Sequence, residues 1–316
     1  MHLLTVDNLQ THYRTDTGWV KAADNISFTL DRGESLGIAG ESGCGKTTVI
    51  MTLMRLINTR DKVMGKILLD GESILDMPLD QFRHIRGKKI ALISQAAMGG
   101  LNPVFSIGYQ IIEAIRAHSK CSKNEATEQT KKLLEQVRID PTRIKAYPHE
   151  LSGGMRQRAM IAMALSCSPQ IVIADEMTTA LDVVTQVQML RLFNELREKL
   201  GISVIAISHE LPILGQICDK IMVMYAGKMA EMGEMGEIFK SPIHPYTRWL
   251  LSSLVDIKAP RRIPRGIPGK PPNLINPPLG CRFEPRCNVR LPICKTEEPV
   301  IFQIKPDHWI ACHAVK

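Results

Sequence analysis

No apolar run in this 316-residue sequence approaches the roughly 18–20 consecutive residues needed to span a bilayer. If the protein serves a membrane process, other chains must supply the spans. The first residues, MHLLTVDNLQTHYR, lack a basic stretch followed by an apolar one, so no secretion signal is expected. Both gaps point to a cytoplasmic protein. The sequence also lacks an internal repeat, a low-complexity segment and a long coiled coil. Its eight cysteines include no closely spaced C-x2–4-C knuckle of the kind structural zinc sites use.

What is present fits a globular chain. The apolar fraction is 44%, and the length allows one large core or two domains. The net charge of +8 is unevenly placed. Residues 241–316 hold 12 Lys/Arg against 5 Asp/Glu, together with 13 of the 19 prolines. This shift in composition marks a boundary near residue 241, dividing the chain into 1–240 and 241–316. A basic tail is commonly solvated surface, and an anionic lipid or nucleic acid could also meet it. An anionic group held within the tail explains the balance better, and no nucleic-acid partner is expected.

Four short apolar runs each lead into a chemically loaded residue. SLGIA (35–39) precedes Gly40, IALIS (90–94) precedes Gln95, IVIA (171–174) precedes Asp175 and Glu176, and VIAIS (204–208) precedes His209. Continuous runs of this kind predict strands buried on both faces. Helical patterns lie between them, which predicts a parallel sheet with helices on its faces. Ligands in such sheets sit beyond the carboxyl ends of the strands. Residues 97–165 read as a helical insertion, and the segments KAADNISFTL and GKILLDG as a small antiparallel sheet.

GESGCGKTT (40–48) fits the pattern G-x-x-x-x-G-K-[ST]. Its glycines let backbone N–H groups close on phosphates, Lys46 adds a point charge, and Thr47 offers a hydroxyl to Mg2+. Gly40, Ser42, Gly43, Cys44, Gly45, Lys46, Thr47 and Thr48 form the expected cradle for ATP. Asp175 is expected to hold Mg2+ through water. Glu176 is expected to accept a proton from, or polarise, the attacking water. His209 would reach a γ-phosphate, and Gln95 would coordinate Mg2+ or the water. LSGGMRQ (151–157) is a second phosphate-facing element at the start of a helix. Two such elements in one chain predict a nucleotide held between two chains.

These motifs occur in the order and spacing of an ABC-type ATPase subunit, which the chain resembles over about residues 3–255. The resemblance implies an α/β fold: a P-loop ABC-type ATPase domain with a parallel core sheet, a small antiparallel β subdomain and a helical subdomain. It implies that Ser152, Gly153, Gly154 and Gln157 face the partner's ATP. Asp182, in TALD (179–182), would communicate across the dimer. Tyr13 resembles the aromatic that stacks on adenine, with Trp19 as a rival. Gln95 and the residues after it would meet the membrane partner. Met177 stands where the family usually has proline.

The tail carries Cys281, Cys287, Cys294 and Cys312, spaced C-x5-C-x6-C-x17-C. Disulfides are not expected in a reducing compartment. Wide spacing around prolines favours an iron–sulfur cluster over zinc. Arg282, Arg286, Arg290 and Lys295 would offset the cluster's negative charge. HPYTRWLL (244–251), IPGKPPNL (267–274) and GCRFEPRC (280–287) resemble the C-terminal region of di- and oligopeptide importer ATPases. Some members of that group carry a [4Fe-4S] cluster on these four cysteines, which predicts a small irregular metal-cluster domain here. The resemblance implies an ATPase that powers a peptide importer, at the cytoplasmic face of the inner membrane. Its expected partners are a second, paralogous ATPase subunit, two transmembrane permeases and an extracellular substrate-binding protein. A nickel or metallophore importer of the same class and a soluble non-transport ABC ATPase are the alternatives. Cys44, lying in the P-loop, is expected to block nucleotide binding when alkylated.

Overall fold

The computed structural model describes residues 2–94, 100–179, 181–252 and 267–315. The chain divides into two compact units. The first comprises residues 1–29, 36–75 and 207–316, and the second residues 30–35 and 76–206.

The first unit opens with the long strands β1 (Leu4–Thr15) and β2 (Gly18–Leu30). Strand β3 (Ser35–Ala39) is the fully buried SLGIA run, and helix α1 (Lys46–Leu53) follows the glycine loop. Strands β4 (Lys62–Leu69) and β5 (Glu72–Ser73) complete a four-stranded sheet in the order β2-β1-β4-β5. Its β1–β4 and β4–β5 pairs are antiparallel, as the alternating segments predict.

The second unit contains α2 (Leu79–Ile85), β6 (Ile90–Ile93), α3 (Ile107–His118) and α4 (Lys123–Gln136). It continues with α5 (Gly153–Leu165), β7 (Ile171–Asp175), α6 (Val183–Leu200) and β8 (Ser203–Ile207). The strands run in the order β8-β7-β6, with β6 parallel to β7. Every residue of β7 and β8 is buried, as unbroken Ile/Val runs require when both faces of a strand are covered. Between β6 and β7 the described residues form helices and turns, and no strand. Local capping fixes their starts: Ser106 caps α3, and Ser122 with Glu125 forms a capping box on α4.

The rest of the first unit is α7 (Leu211–Ile217), β9 (Lys220–Tyr225), β10 (Lys228–Glu234), α8 (Met235–Lys240) and α9 (Pro245–Ser252). Strand β9 lies parallel to β3 and antiparallel to β10. The tail then adds β11 (Phe302–Lys305) and β12 (His308–Ile310), with β12 antiparallel to β10. The tail is therefore more regular than its proline content suggests. It extends a sheet that begins at the P-loop strand, in the order β11-β12-β10-β9-β3. No helix among the described residues is long and apolar enough to cross a membrane.

Candidate nucleotide site and its C-terminal brace

The glycine loop is already shaped as a cradle. Gly40 has φ 146° and Gly45 φ 105°, values that favour glycine. A Cβ at Gly40 would strike the Met224 carbonyl oxygen, and one at Gly45 the Ala22 carbonyl oxygen. Lys46 is folded back onto the loop. Its Nζ donates to the Gly40 oxygen at 2.6 Å and the Glu41 oxygen at 3.1 Å. Ser42, Gly43 and Thr47 are exposed, whereas Thr48 is buried in α1.

Cys44 is sealed into the loop. It is only 3% exposed, and burial pushes its thiol up despite the neighbouring Lys46. Thiolate is the reacting species, so alkylation of Cys44 should be slow. Peptide mapping after brief iodoacetamide treatment should find Cys121 labelled and Cys44 unlabelled; rapid labelling of Cys44 would contradict this placement.

Asp175 is buried at the end of β7. Glu176 follows with φ 49°, a left-handed conformation uncommon for a residue with a side chain. Its carboxylate accepts from the Thr179 hydroxyl at 3.2 Å, and its carbonyl accepts from the Thr179 N–H at 3.1 Å. Met177 is buried and follows this turn directly. His209, beyond β8, is exposed and lies 3.8 Å from a Glu210 carboxylate oxygen. Gln95 lies outside the described residues.

Ser152 caps α5, its Oγ accepting from the Met155 N–H at 3.3 Å. Gly153 has room for a side chain. At Gly154 the Thr185 methyl approaches within 2.8 Å of where a Cβ would stand. Gln157 is buried, with no hydrogen-bond partner for its Nε2. Asp182 caps α6 by accepting from the Thr185 N–H and hydroxyl, at 3.0 and 2.6 Å. Those bonds hold its carboxyl below the usual range. Tyr13 is half-buried. Trp19 carries Lys62 Nζ 4.3 Å from its ring centroid, so one of its faces is covered.

The tail's arginines serve a different purpose from the one their sequence suggests. Arg286 forms a two-pronged pair with Glu41 of the glycine loop, at 2.7 and 2.9 Å. Arg282 pairs with Asp24 and donates to the Ala226 carbonyl at 2.5 Å. Arg290 stands 3.9 Å from Glu284. These three guanidiniums are matched by carboxylates, so they do not stand as a free cationic shell for a cluster.

The four tail cysteines share one neighbourhood. Burial pushes the Cys281 thiol up to about 11, and the charges of Cys294, Cys312 and Cys287 push it the same way. The Cys281 N–H donates to the Cys294 carbonyl at 2.8 Å. Yet among the described residues no group of three or more His, Cys, Asp or Glu side chains is arranged to hold a metal ion.

Two further features escaped the sequence. Glu231, on β10, is fully buried. It meets His308 Nε2 at 2.8 Å and accepts from the Ile243 and His244 N–H groups at 2.9 and 3.1 Å. Tyr246, also fully buried, accepts from the Glu41 N–H at 2.9 Å through its hydroxyl. Its ring packs with Tyr225 and Phe283, at centroid distances of 4.7 and 5.4 Å. A carboxylate inside a phosphate cradle was the one sequence signal that a cation must stand near Glu41.

His244 is buried, and burial lowers its pKa from 6.5 to about 4. The unfolded chain therefore takes up a proton below pH 6.5 that the folded chain refuses until about pH 4. The stability this group contributes is complete above pH 6.5 and falls as pH drops toward 4. The loss should total about 3 kcal/mol. Denaturant titrations at pH 7 and pH 4.5 should show the decline, and His244→Gln should flatten it; an unchanged slope would show that His244 is not its source.

Comparisons with known proteins give the chain its family. A profile described as ABC transporter matches residues 23–179. A second, described as the oligopeptide/dipeptide transporter C-terminal region, matches residues 230–294. The oligopeptide transport ATP-binding protein OppD of Escherichia coli is 41% identical, covering 98% of this chain and 92% of its own. The chain belongs to the ABC transporter ATP-binding family. OppD of Salmonella typhimurium is 42% identical over 94% of this chain and 90% of its own. Among solved structures, cbiO1 from Clostridium perfringens, part of an ABC transporter complex, superposes with a TM-score of 0.65. It is 25% identical and covers 76% of this chain and 91% of its own. The dimeric cassette MJ0796 bound to ADP and Pi gives a TM-score of 0.66 at 24% identity, over 73% of this chain and 98% of its own. That likeness shows the α/β cassette fold.

Proposed function

We infer that this chain is the ATP-hydrolysing subunit of an importer that takes up peptides through separate permease subunits. The carrying observation is similarity that runs through both the cassette and the C-terminal region, nearly end to end, to oligopeptide transport ATP-binding proteins. The cassette is residues 1–240, with a helical subdomain at about 97–165, and the extension is 241–316. The chain works at the cytoplasmic face of the inner membrane, beside two permeases, a paralogous ATPase and an extracellular binding protein.

In this reading the site residues divide the work. Lys46, Gly43 and Gly45 receive the phosphates of ATP, Lys46 exchanging its contacts with the Gly40 and Glu41 oxygens for phosphate oxygens. Thr47, Gln95 and Asp175 are the ligands for Mg2+, which offsets charge on the phosphates. Glu176 accepts the proton of the attacking water, and His209 steadies the γ-phosphate. Tyr13, whose rival Trp19 has a face covered by Lys62, stacks on adenine. Ser152, Gly153, Gly154 and Gln157 serve the ATP of the partner subunit, and Asp182 links the two halves. Purification from native membranes should recover two permeases and a second ATPase with this chain; recovery with nucleic acid or ribosomes instead would support a non-transport ATPase.

Cys281, Cys287, Cys294 and Cys312 are proposed as ligands of a [4Fe-4S] cluster, supported by the convergence of four thiols. Zinc is the less favoured occupant, because the four cysteines include no closely spaced C-x2–4-C knuckle. Protein purified without oxygen should be brown and carry about four irons per chain. Stoichiometric zinc, or no metal, removes the cluster.

A further inference from the structure

GESGCGKTT places a carboxylate in the second position of a loop meant for polyphosphate. Left bare, Glu41 would repel the ligand. The structure surrounds it instead. Arg286 Nη1 and Nη2 each donate to one carboxylate oxygen, at 2.7 and 2.9 Å. The same guanidinium donates to the Tyr225 hydroxyl at 3.2 Å, the Ile267 carbonyl at 3.2 Å and the Pro268 carbonyl at 2.8 Å. Its side chain is only 4% exposed, so the fork is held in place. Tyr246 takes the Glu41 N–H, and the Glu41 carbonyl accepts from Lys46. One residue of the cradle is thus fixed through side chain, N–H and carbonyl at once.

We propose that Arg286 is a positioning residue for the nucleotide site: its fork neutralises Glu41 and, with Tyr246, holds the first turn of the glycine loop ready for phosphate. The C-terminal extension thereby becomes part of the nucleotide-binding apparatus. The inference rests on the reading that ATP binds the glycine loop. Two physical effects support it. A matched ion pair removes the repulsion between Glu41 and an incoming anion. A loop ordered beforehand need not be ordered at the cost of binding energy.

The test uses the full chain and MgATP displacement of a fluorescent ATP analogue, with melting measured separately without nucleotide. Lys46→Ala serves as a control; if it leaves affinity intact, ATP does not bind the glycine loop and that reading fails. Arg286→Met keeps the apolar stem and should weaken MgATP binding about tenfold. Adding Glu41→Gln should restore affinity to within about threefold of the parent, because it removes the unmatched charge. A purely structural role for Arg286 predicts no such rescue. Parent-like affinity in a folded Arg286→Met protein, or no rescue by Glu41→Gln, overturns the proposal. Should Arg286→Met fail to fold, Arg286→Lys keeps the charge and loses the fork. It should bind about threefold more weakly, and unchanged affinity overturns the proposal.

Discussion

Glu176→Gln should still bind ATP, with turnover reduced by at least about a hundredfold, the loss expected of a positioned base. The substitution is nearly isosteric. The amide oxygen can still accept from Thr179, which now sits 3.2 Å from the carboxylate, so the turn should survive. What disappears is the capacity to take a proton. The setting supports that role. A buried strand ends at Asp175, and the chain then turns through φ 49° at Glu176 itself. Strained backbone of this kind persists where surrounding structure enforces it, and it clusters at working sites. Phosphate release and nucleotide binding, measured side by side, check the prediction. Near-normal turnover would remove Glu176 from the chemistry.

Glu231→Ala should cost about 3 kcal/mol or more of stability. The carboxylate is fully buried and satisfies three donors or partners: His308, the Ile243 N–H and the His244 N–H. Each buried group left without a partner costs about 1–3 kcal/mol. At roughly 2–4 °C per kcal/mol, calorimetry should find melting lowered by about 6 °C or more. Glu231→Gln keeps the shape and should lose less. A change below about 1 kcal/mol in the alanine variant would mean the network carries little of the stability. The effect should reach the glycine loop, because residues 243–246 run from Glu231 to the Tyr246 hydroxyl that meets Glu41.

The parts of this fold that were legible in the sequence are those governed by local pattern. SLGIA is a strand over the predicted residues, since an unbroken apolar run between turn signals leaves few other choices. The glycine loop was legible because its geometry demands particular residues at particular spacings. The C-terminal brace was hidden for the opposite reason. Arg286 and Glu41 lie 245 positions apart, and a charge in a sequence does not announce its partner. Arg286 and Arg282 stand beside cysteines, so they read as counter-charges to a cluster; the structure gives them to Glu41 and Asp24. The tail hairpin was hidden as well. Strands of four and three residues are too short to show an alternation, and pairing with β10 decides them. Glu231 belongs to no sequence motif, and its burial is set by His308 and the turn at 243–244, which are distant in the chain or beyond the strand.

The central claim is that this chain couples ATP hydrolysis to peptide import. Uptake of labelled oligopeptides into vesicles bearing the assembled transporter tests it most directly, with ATP supplied on the side exposed to this subunit. The account predicts uptake that requires ATP and is abolished by Glu176→Gln in this chain. Peptide uptake that persists without ATP, or is unaffected by Glu176→Gln, would contradict it.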